Sequence, residues 1–222
     1  MISIACSGFP IPVSTYFQEF EAVEIADTEL GLPGTGTLRR WQREAVPSCV
    51  FTLLAPKTIA SAGFTLDPGT KQTVSAVAGF AKQLKARAVI FAANDELTPT
   101  KSHRAQLRAF VEHVSKLIKT PVLDLPGWPK RELTATFKDL NVCLAFDPLL
   151  DEPVAKAPFA YARMAGPSGY KSRYDAASLD RVVELCQRSS AKHLFVAFRN
   201  IDRYENSKYV MKKLLAASLQ PV

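Results

Sequence analysis

Histidine is scarce in this chain, with three among 222 residues. His103 and His113 lie on one predicted helix but not at the i,i+4 spacing of a helical metal clamp, and His193 opens a predicted strand. The four cysteines, Cys6, Cys49, Cys143 and Cys186, include no CxxC pair, so the ligand spacing of a structural zinc site is missing. Without an export signal, a chain of this length does not read as a disulfide framework, and buried free thiols are expected. No apolar run approaches the roughly 18–20 residues that cross a bilayer. The opening MISIACSGFPIP has no basic stretch ahead of its apolar residues and reads as a first strand rather than a signal peptide. A cytoplasmic protein without membrane contact is therefore expected. There is no GxGxxG after the first strand, where the turn reads SGFPIP, and no Walker pattern. No cofactor is identified. Internal repeats, low-complexity tracts and linkers are also missing, so residues 1–222 read as a single domain.

Eight short apolar runs are what the chain does have: Ile2–Gly8, Ala22–Asp27, Val50–Lys57, Ala88–Asn94, Pro121–Pro126, Val142–Asp147, Phe159–Gly166 and His193–Asn200. Helical patterns fill most of the gaps. Val74, Val77, Ala78, Ala81 and Leu84 form one apolar stripe, and Leu107, Phe110, Val111, Val114 and Leu117 another. Shorter helices are predicted over 14–20, 38–45 with Thr37 as cap, and 131–137; longer ones over 176–187 and 204–219. Pro99 is placed in the first turn of the helix after the fourth strand. This rhythm predicts an α/β fold, a single (β/α)8 TIM-type barrel. The proline-rich stretch 148–158 predicts a bare connection, so the helix between strands six and seven is expected to be missing. An open doubly wound sheet is the structural alternative.

A barrel of parallel strands puts its chemistry at the strand carboxyl ends. Those ends hold Ser7, Asp27, Lys57, Asn94 with Asp95, Asp124, Asp147, Arg163 and Asn200. Lys57, Asp124 and Asp147 are the candidate catalytic groups, for proton transfer or electrostatic stabilisation, because mixed charges crowded at one mouth shift each other's pKa. The loop Gly166-Pro-Ser-Gly-Tyr-Lys-Ser-Arg173 is the most specific local signal. Its glycines let backbone amides approach an anion, and Ser168, Lys171 and Arg173 can neutralise it. Asp27, Arg163, Gly166, Ser168, Gly169, Lys171 and Asn200 are thus the candidate ligand-binding residues, for a small anionic or phosphorylated ligand. A catalytic site here fits a lyase, isomerase or hydrolase better than a redox enzyme. Asp27, Asp124 and Asp147 could alternatively hold Mg²⁺ or Mn²⁺ through oxygen ligands.

The net charge of +7 and pI near 9.3 favour an anionic partner. The first 35 residues nevertheless carry five acids and no Lys or Arg. The basic residues cluster on predicted helices, at Arg39–Arg43, Lys82–Arg87, Lys101–Arg108 and Lys212–Lys213. They offer an alternative of a different class, a non-catalytic barrel that binds nucleic acid or a protein partner. The oligomeric state is not legible.

Several segments carry a family resemblance. Cys6-Ser7-Gly8 with Tyr16 and Val23-Glu24-Ile25, Leu32-Pro33 with Leu38–Trp41, and Phe51 through Ala55-Pro56-Lys57-Thr58-Ile59 are among them. Tyr161-Ala-Arg163-Met-Ala-Gly166, Tyr174, Leu179 and Phe198-Arg-Asn200 complete the set. Together they resemble the YecE-like family of TIM-barrel proteins, domain of unknown function 72, over nearly the whole chain. The chain departs from that pattern at Asp27–Leu30, at Asp124–Pro126 and at Ala165, which replaces a histidine before the glycine. The resemblance implies the barrel and carries no established activity.

Overall fold

The computed structural model describes residues 1–94, 96–151 and 159–218. Eight parallel strands form one sheet: β1 (Ile2–Ser7), β2 (Ala22–Ile25), β3 (Val50–Leu54), β4 (Ala88–Ala92), β5 (Pro121–Asp124), β6 (Cys143–Leu144), β7 (Phe159–Met164) and β8 (His193–Phe198). The order around the sheet is β6-β5-β4-β3-β2-β1-β8-β7. The first and last strands pair through five residues, from Ile2 with Leu194 to Cys6 with Phe198. The remaining gap is bridged at Phe146, which pairs in parallel with Ala162; its amide donates to Tyr161 O (3.1 Å) and its carbonyl accepts from Arg163 N (2.9 Å). The sheet thus curls into a nearly closed TIM barrel, and the open-sheet alternative falls away.

Strand periodicity separates two layers, because successive side chains point to opposite faces. Ala5, Ala22, Leu54, Ala88, Ile90, Val122, Phe159, Tyr161, Phe195 and Ala197 form one buried cluster that fills the barrel. Their neighbours in sequence, such as Val23, Ile25, Leu53, Val89 and Leu123, face outward and pack with helix residues Trp41, Val74, Val77, Leu107 and Phe110. Ala160, Ala162, Leu194 and Val196 do the same against Leu179, Val182 and Val210. The strands read as near-continuous apolar runs because both faces are covered.

The helices follow the strands: α1 (Val13–Glu19), α2 (Thr35–Glu44), α3 (Lys57–Ser61), α4 (Pro68–Leu84), α5 (Lys101–Val114), α6 (Lys130–Phe137), α7 (Ala176–Arg188) and α8 (Arg203–Ser218). Asp67 caps α4 by accepting from Thr70 N, and Asp175 caps α7 by accepting from Ser178 N. Two starts differ from the sequence reading. Thr100 caps α5 by accepting from His103 N, so Pro99 lies outside that helix rather than in its first turn. Gly34 precedes α2, which leaves Thr37 inside it. The expected strand 142–147 contracts to two paired residues plus the Phe146 bridge, because Pro148 lies just beyond and residues 148–150 turn. Of the bare connection expected over 148–158, residues 148–150 form a turn with Asp151 following it, and 152–158 lie outside the described residues.

Candidate functional site

At the carboxyl-end mouth, strand parity decides which polar side chains point inward. Ala22 and Glu24 share the inner face of β2, as do Phe159, Tyr161 and Arg163 on β7. Glu24 is fully buried and Arg163 is 4% exposed. Arg163 Nε donates to Glu24 Oε2 at 3.1 Å and Nη2 to Oε1 at 3.3 Å. Its Nη1 donates to Asp124 at the end of β5. The Ser7 hydroxyl donates to Glu24 Oε1 at 2.5 Å, and the Tyr161 hydroxyl donates to Oε2 at 2.8 Å. Thr52 Oγ1 lies 3.0 Å from the Tyr161 hydroxyl. Strands β1, β2, β3, β5 and β7 therefore meet in one network, which only a closed sheet can assemble.

The charges settle accordingly. Burial pushes the Glu24 carboxyl up, but Arg163, Arg199 and the Ser7 hydroxyl outweigh it and hold the group below the usual carboxylate range. Burial pushes the Tyr161 hydroxyl well above its ordinary value, so it stays a donor. Asp147 moves the other way: burial raises it, with Asp151 and Asp124 adding to the rise against the Leu149 amide. Asp124 and Asp147 thus form a pair of carboxyls in which one is fixed by Arg163 and the other holds its proton to higher pH. A carboxyl raised by burial beside a second acid suits proton transfer.

Arg199 is the least satisfied charge at the mouth. It lies two residues beyond Ala197, on the inner face of β8 one step past the strand end. It is half-buried, and its guanidinium has no hydrogen-bonded or ion-paired side-chain partner among the described residues. Burial and then Arg163 depress its pKa, with Glu24, Asp124 and Glu29 opposing at longer range.

The remaining candidates spread over the rim. Lys57 is the exposed first residue of α3, and Asp27 is exposed in a single 3₁₀ turn, Asp27–Glu29, after β2. Asp95 lies outside the described residues. Ser168, Gly169 and Lys171 are exposed, and the Lys171 ammonium sits 5.8 Å from the centre of the Tyr170 ring. Asn200 is fully buried; its Nδ2 donates to Ser172 O and its Oδ1 accepts from Asn206, so it clamps the loop to α8. The loop amides are already occupied. Gly166 N donates to the Tyr174 hydroxyl at 2.6 Å, Ser168 N to Ser172 Oγ at 2.9 Å and Gly169 N to Gly166 O at 3.2 Å. Among the described residues no three His, Cys, Asp or Glu side chains gather into a possible metal site, so Asp27, Asp124 and Asp147 do not form one. Many helical cations carry acid partners, as Arg40 does with Glu44, Arg108 with Asp139 and Lys213 with Asp180.

Gly166 is the hinge of that loop. Its φ is +99°, and an added Cβ would lie 2.3 Å from Gly169 O and 2.7 Å from Ser172 Oγ. Gly166→Ala is expected to lower unfolding free energy by about 1–3 kcal/mol. Hydrogen exchange at the Ser168 and Gly169 amides should quicken; unchanged exchange there would contradict this loop geometry.

Glu24, Tyr161 and Arg199 are the site residues that strand-end reasoning passes over. Glu24 sits inside an apolar run rather than after it, and β2 ends at Ile25, two residues short of Asp27. The available signal is parity: counting in twos from Ala22, Phe159 and Ala197 lands on all three.

The fold has solved relatives. A protein of unknown function from Enterococcus faecalis V583 superposes with a TM-score of 0.79 at 17% identity, covering 100% of this chain and 97% of that one. Another from Thermotoga maritima MSB8 superposes at 0.68 with 15% identity, covering 97% and 99%. Both belong to the DUF72 family. D-psicose 3-epimerase from Clostridium cellulolyticum H10, solved with D-tagatose, superposes at 0.62 with 13% identity, covering 98% and 96%. At these identities the likeness is one of fold. No curated protein matches the chain. The family model described as protein of unknown function DUF72 matches residues 12–220. The eight-stranded barrel and that match across almost the whole sequence lead to one assignment: this chain is a member of the DUF72 family.

Proposed function

We propose that the mouth binds a small anionic, hydroxyl-rich ligand, such as a sugar phosphate or sugar acid, and moves a proton on it. The observation that carries this reading is Arg199, a half-buried guanidinium without a side-chain partner among the described residues, at the mouth that holds the Glu24–Arg163 network. Such a group gains a charge-assisted hydrogen bond only when an anion arrives. Asp147, whose carboxyl burial pushes up, and Asp124, oriented by Arg163, are the acid and base of the proton transfer. Lys57, Asp27 and the loop bearing Gly166, Ser168, Gly169 and Lys171 line the rim around the anion. The sugar bound by the epimerase neighbour is in keeping with this class, at the level of fold. An isomerase or epimerase step fits best, because proton transfer next to a carbonyl needs only this acid–base pair.

The test is a thermal-shift panel of sugar phosphates and sugar acids, since a bound ligand raises the melting temperature by mass action. The hit is then incubated in deuterium oxide and followed by NMR. Solvent deuterium should enter the carbon beside the carbonyl. Arg199→Gln should weaken binding about tenfold, the loss of one charge-assisted contact. Asp147→Asn should abolish exchange while binding survives. A panel with no hit, or a hit indifferent to Arg199→Gln, would contradict the proposal.

A further inference from the structure

A second concave surface lies at the opposite end of the barrel. It opens between the C-terminal end of α4 and the chain segments that lead into β4 and β5, and has a volume of about 810 Å³. That is the size of a small-molecule site. Its wall is apolar, with Val50, Phe51, Ala81, Val89 and Ile118 among the lining residues. Four cations also line it: Lys82, Lys85, Arg87 and Lys119, all exposed. No carboxylate lines it among the described residues, and none of the four has an acid partner there. Arg87 faces a ring instead, with its guanidinium carbon 5.4 Å from the centre of Phe159. The negative end of the α4 dipole accounts for Lys82 and Lys85. It does not account for Arg87 and Lys119, which lie in the separate segments leading into β4 and β5. His193 also lines the cleft and is 2% exposed. Its Nε2 lies 2.9 Å from the Ser3 hydroxyl, and its buried Nδ1 has no partner. Burial and then Arg87 push the imidazole down to about 4, so this polar wall is neutral.

Four exposed cations without acid partners among the described residues, beside an apolar floor, suit an anionic head on a flat apolar body. We infer that this cleft is a second ligand site, for an aryl phosphate monoester, independent of the mouth. The phosphate meets Lys85, Arg87 and Lys119, and the ring lies on the floor. A discrete cleft, rather than a long stripe of charge, favours a small molecule over nucleic acid.

Isothermal titration of the full chain with phenyl phosphate tests this. One ligand should bind per chain. Affinity should fall about tenfold in Lys85→Gln/Arg87→Gln, as expected from losing charge contacts to the phosphate. Lys119→Gln is the second variant, because Arg87 also packs on Phe159. Arg199→Gln, which disables the mouth, should leave binding unchanged, so the two sites fail separately. Inorganic phosphate should bind more weakly, since it leaves the floor empty. Four results would overturn the inference: no heat with phenyl phosphate, equal affinity in both cleft variants, loss of binding in Arg199→Gln, or inorganic phosphate binding as tightly as the ester. Displacement of phenyl phosphate by a short single-stranded oligonucleotide, with a steep salt dependence, would replace it with a nucleic-acid surface.

Discussion

Arg163→Met is expected to lower unfolding free energy by about 3–5 kcal/mol at neutral pH, the cost of leaving a buried charge without its partner. The methionine nearly preserves the volume, so the loss is electrostatic. Glu24 has no exposure and cannot rehydrate, whereas Asp124, 23% exposed, can. The sign of the pH dependence separates this cause from a packing defect. In the native protein Glu24 lies below its ordinary value, so its stabilisation is present above that value and fades as pH falls through the folded one. In the variant, burial dominates and lifts the carboxyl instead. Protonation then relieves the strain, so the gap between native and variant should narrow as the pH drops from 7 toward 5. Urea titrations at both values measure it, and a gap of constant width would point to packing alone.

Phe195→Ala should be nearly as costly, about 3–5 kcal/mol, through a cavity at the barrel centre. Phe195 is fully buried and stacks on Tyr161 with ring centres 5.0 Å apart and 10° between planes. Small residues in the same cluster, Ala5 on β1 and Ala22 on β2 among them, leave room for these two rings and cannot expand to refill it. The melting temperature should fall by roughly 6–20 °C on the usual scale for a chain of this size. Losing the stack also loosens the hydroxyl that Tyr161 donates to Glu24. Leu30→Ala, at a side chain 81% exposed, is the comparison and should change stability by less than about 0.5 kcal/mol. Similar losses at both positions would contradict the assigned core.

The fold was largely legible because strands covered on both faces announce themselves as apolar runs, and all eight of these were visible. What blurred was their ends. Reading polar residues as strand stops reaches Asp124 at the end of β5 and Arg163 one residue before the end of β7, but passes over Glu24, which stops nothing. Inward orientation depends on parity and on knowing that the sheet closes, so a lone acid in an apolar run gains its meaning only beside Arg163. Lys57 shows the converse: it follows an apolar run, yet starts helix α3 and faces solvent. The Gly166–Gly169 loop has the residues of an anion cradle. Its amides are turned to Tyr174, Ser172 and Gly166 itself, a use of backbone donors that sequence does not reveal.

A closed barrel that joins β2 to β7 through a buried ion pair is best tested by a double-mutant cycle on Glu24→Gln and Arg163→Met. Unfolding free energies of the native chain, both single variants and the double variant are compared. The double variant should be more stable than Arg163→Met alone, with a coupling energy of about 2–3 kcal/mol. Additivity within about 0.5 kcal/mol would mean that the two side chains do not meet, and the mouth described here would not exist.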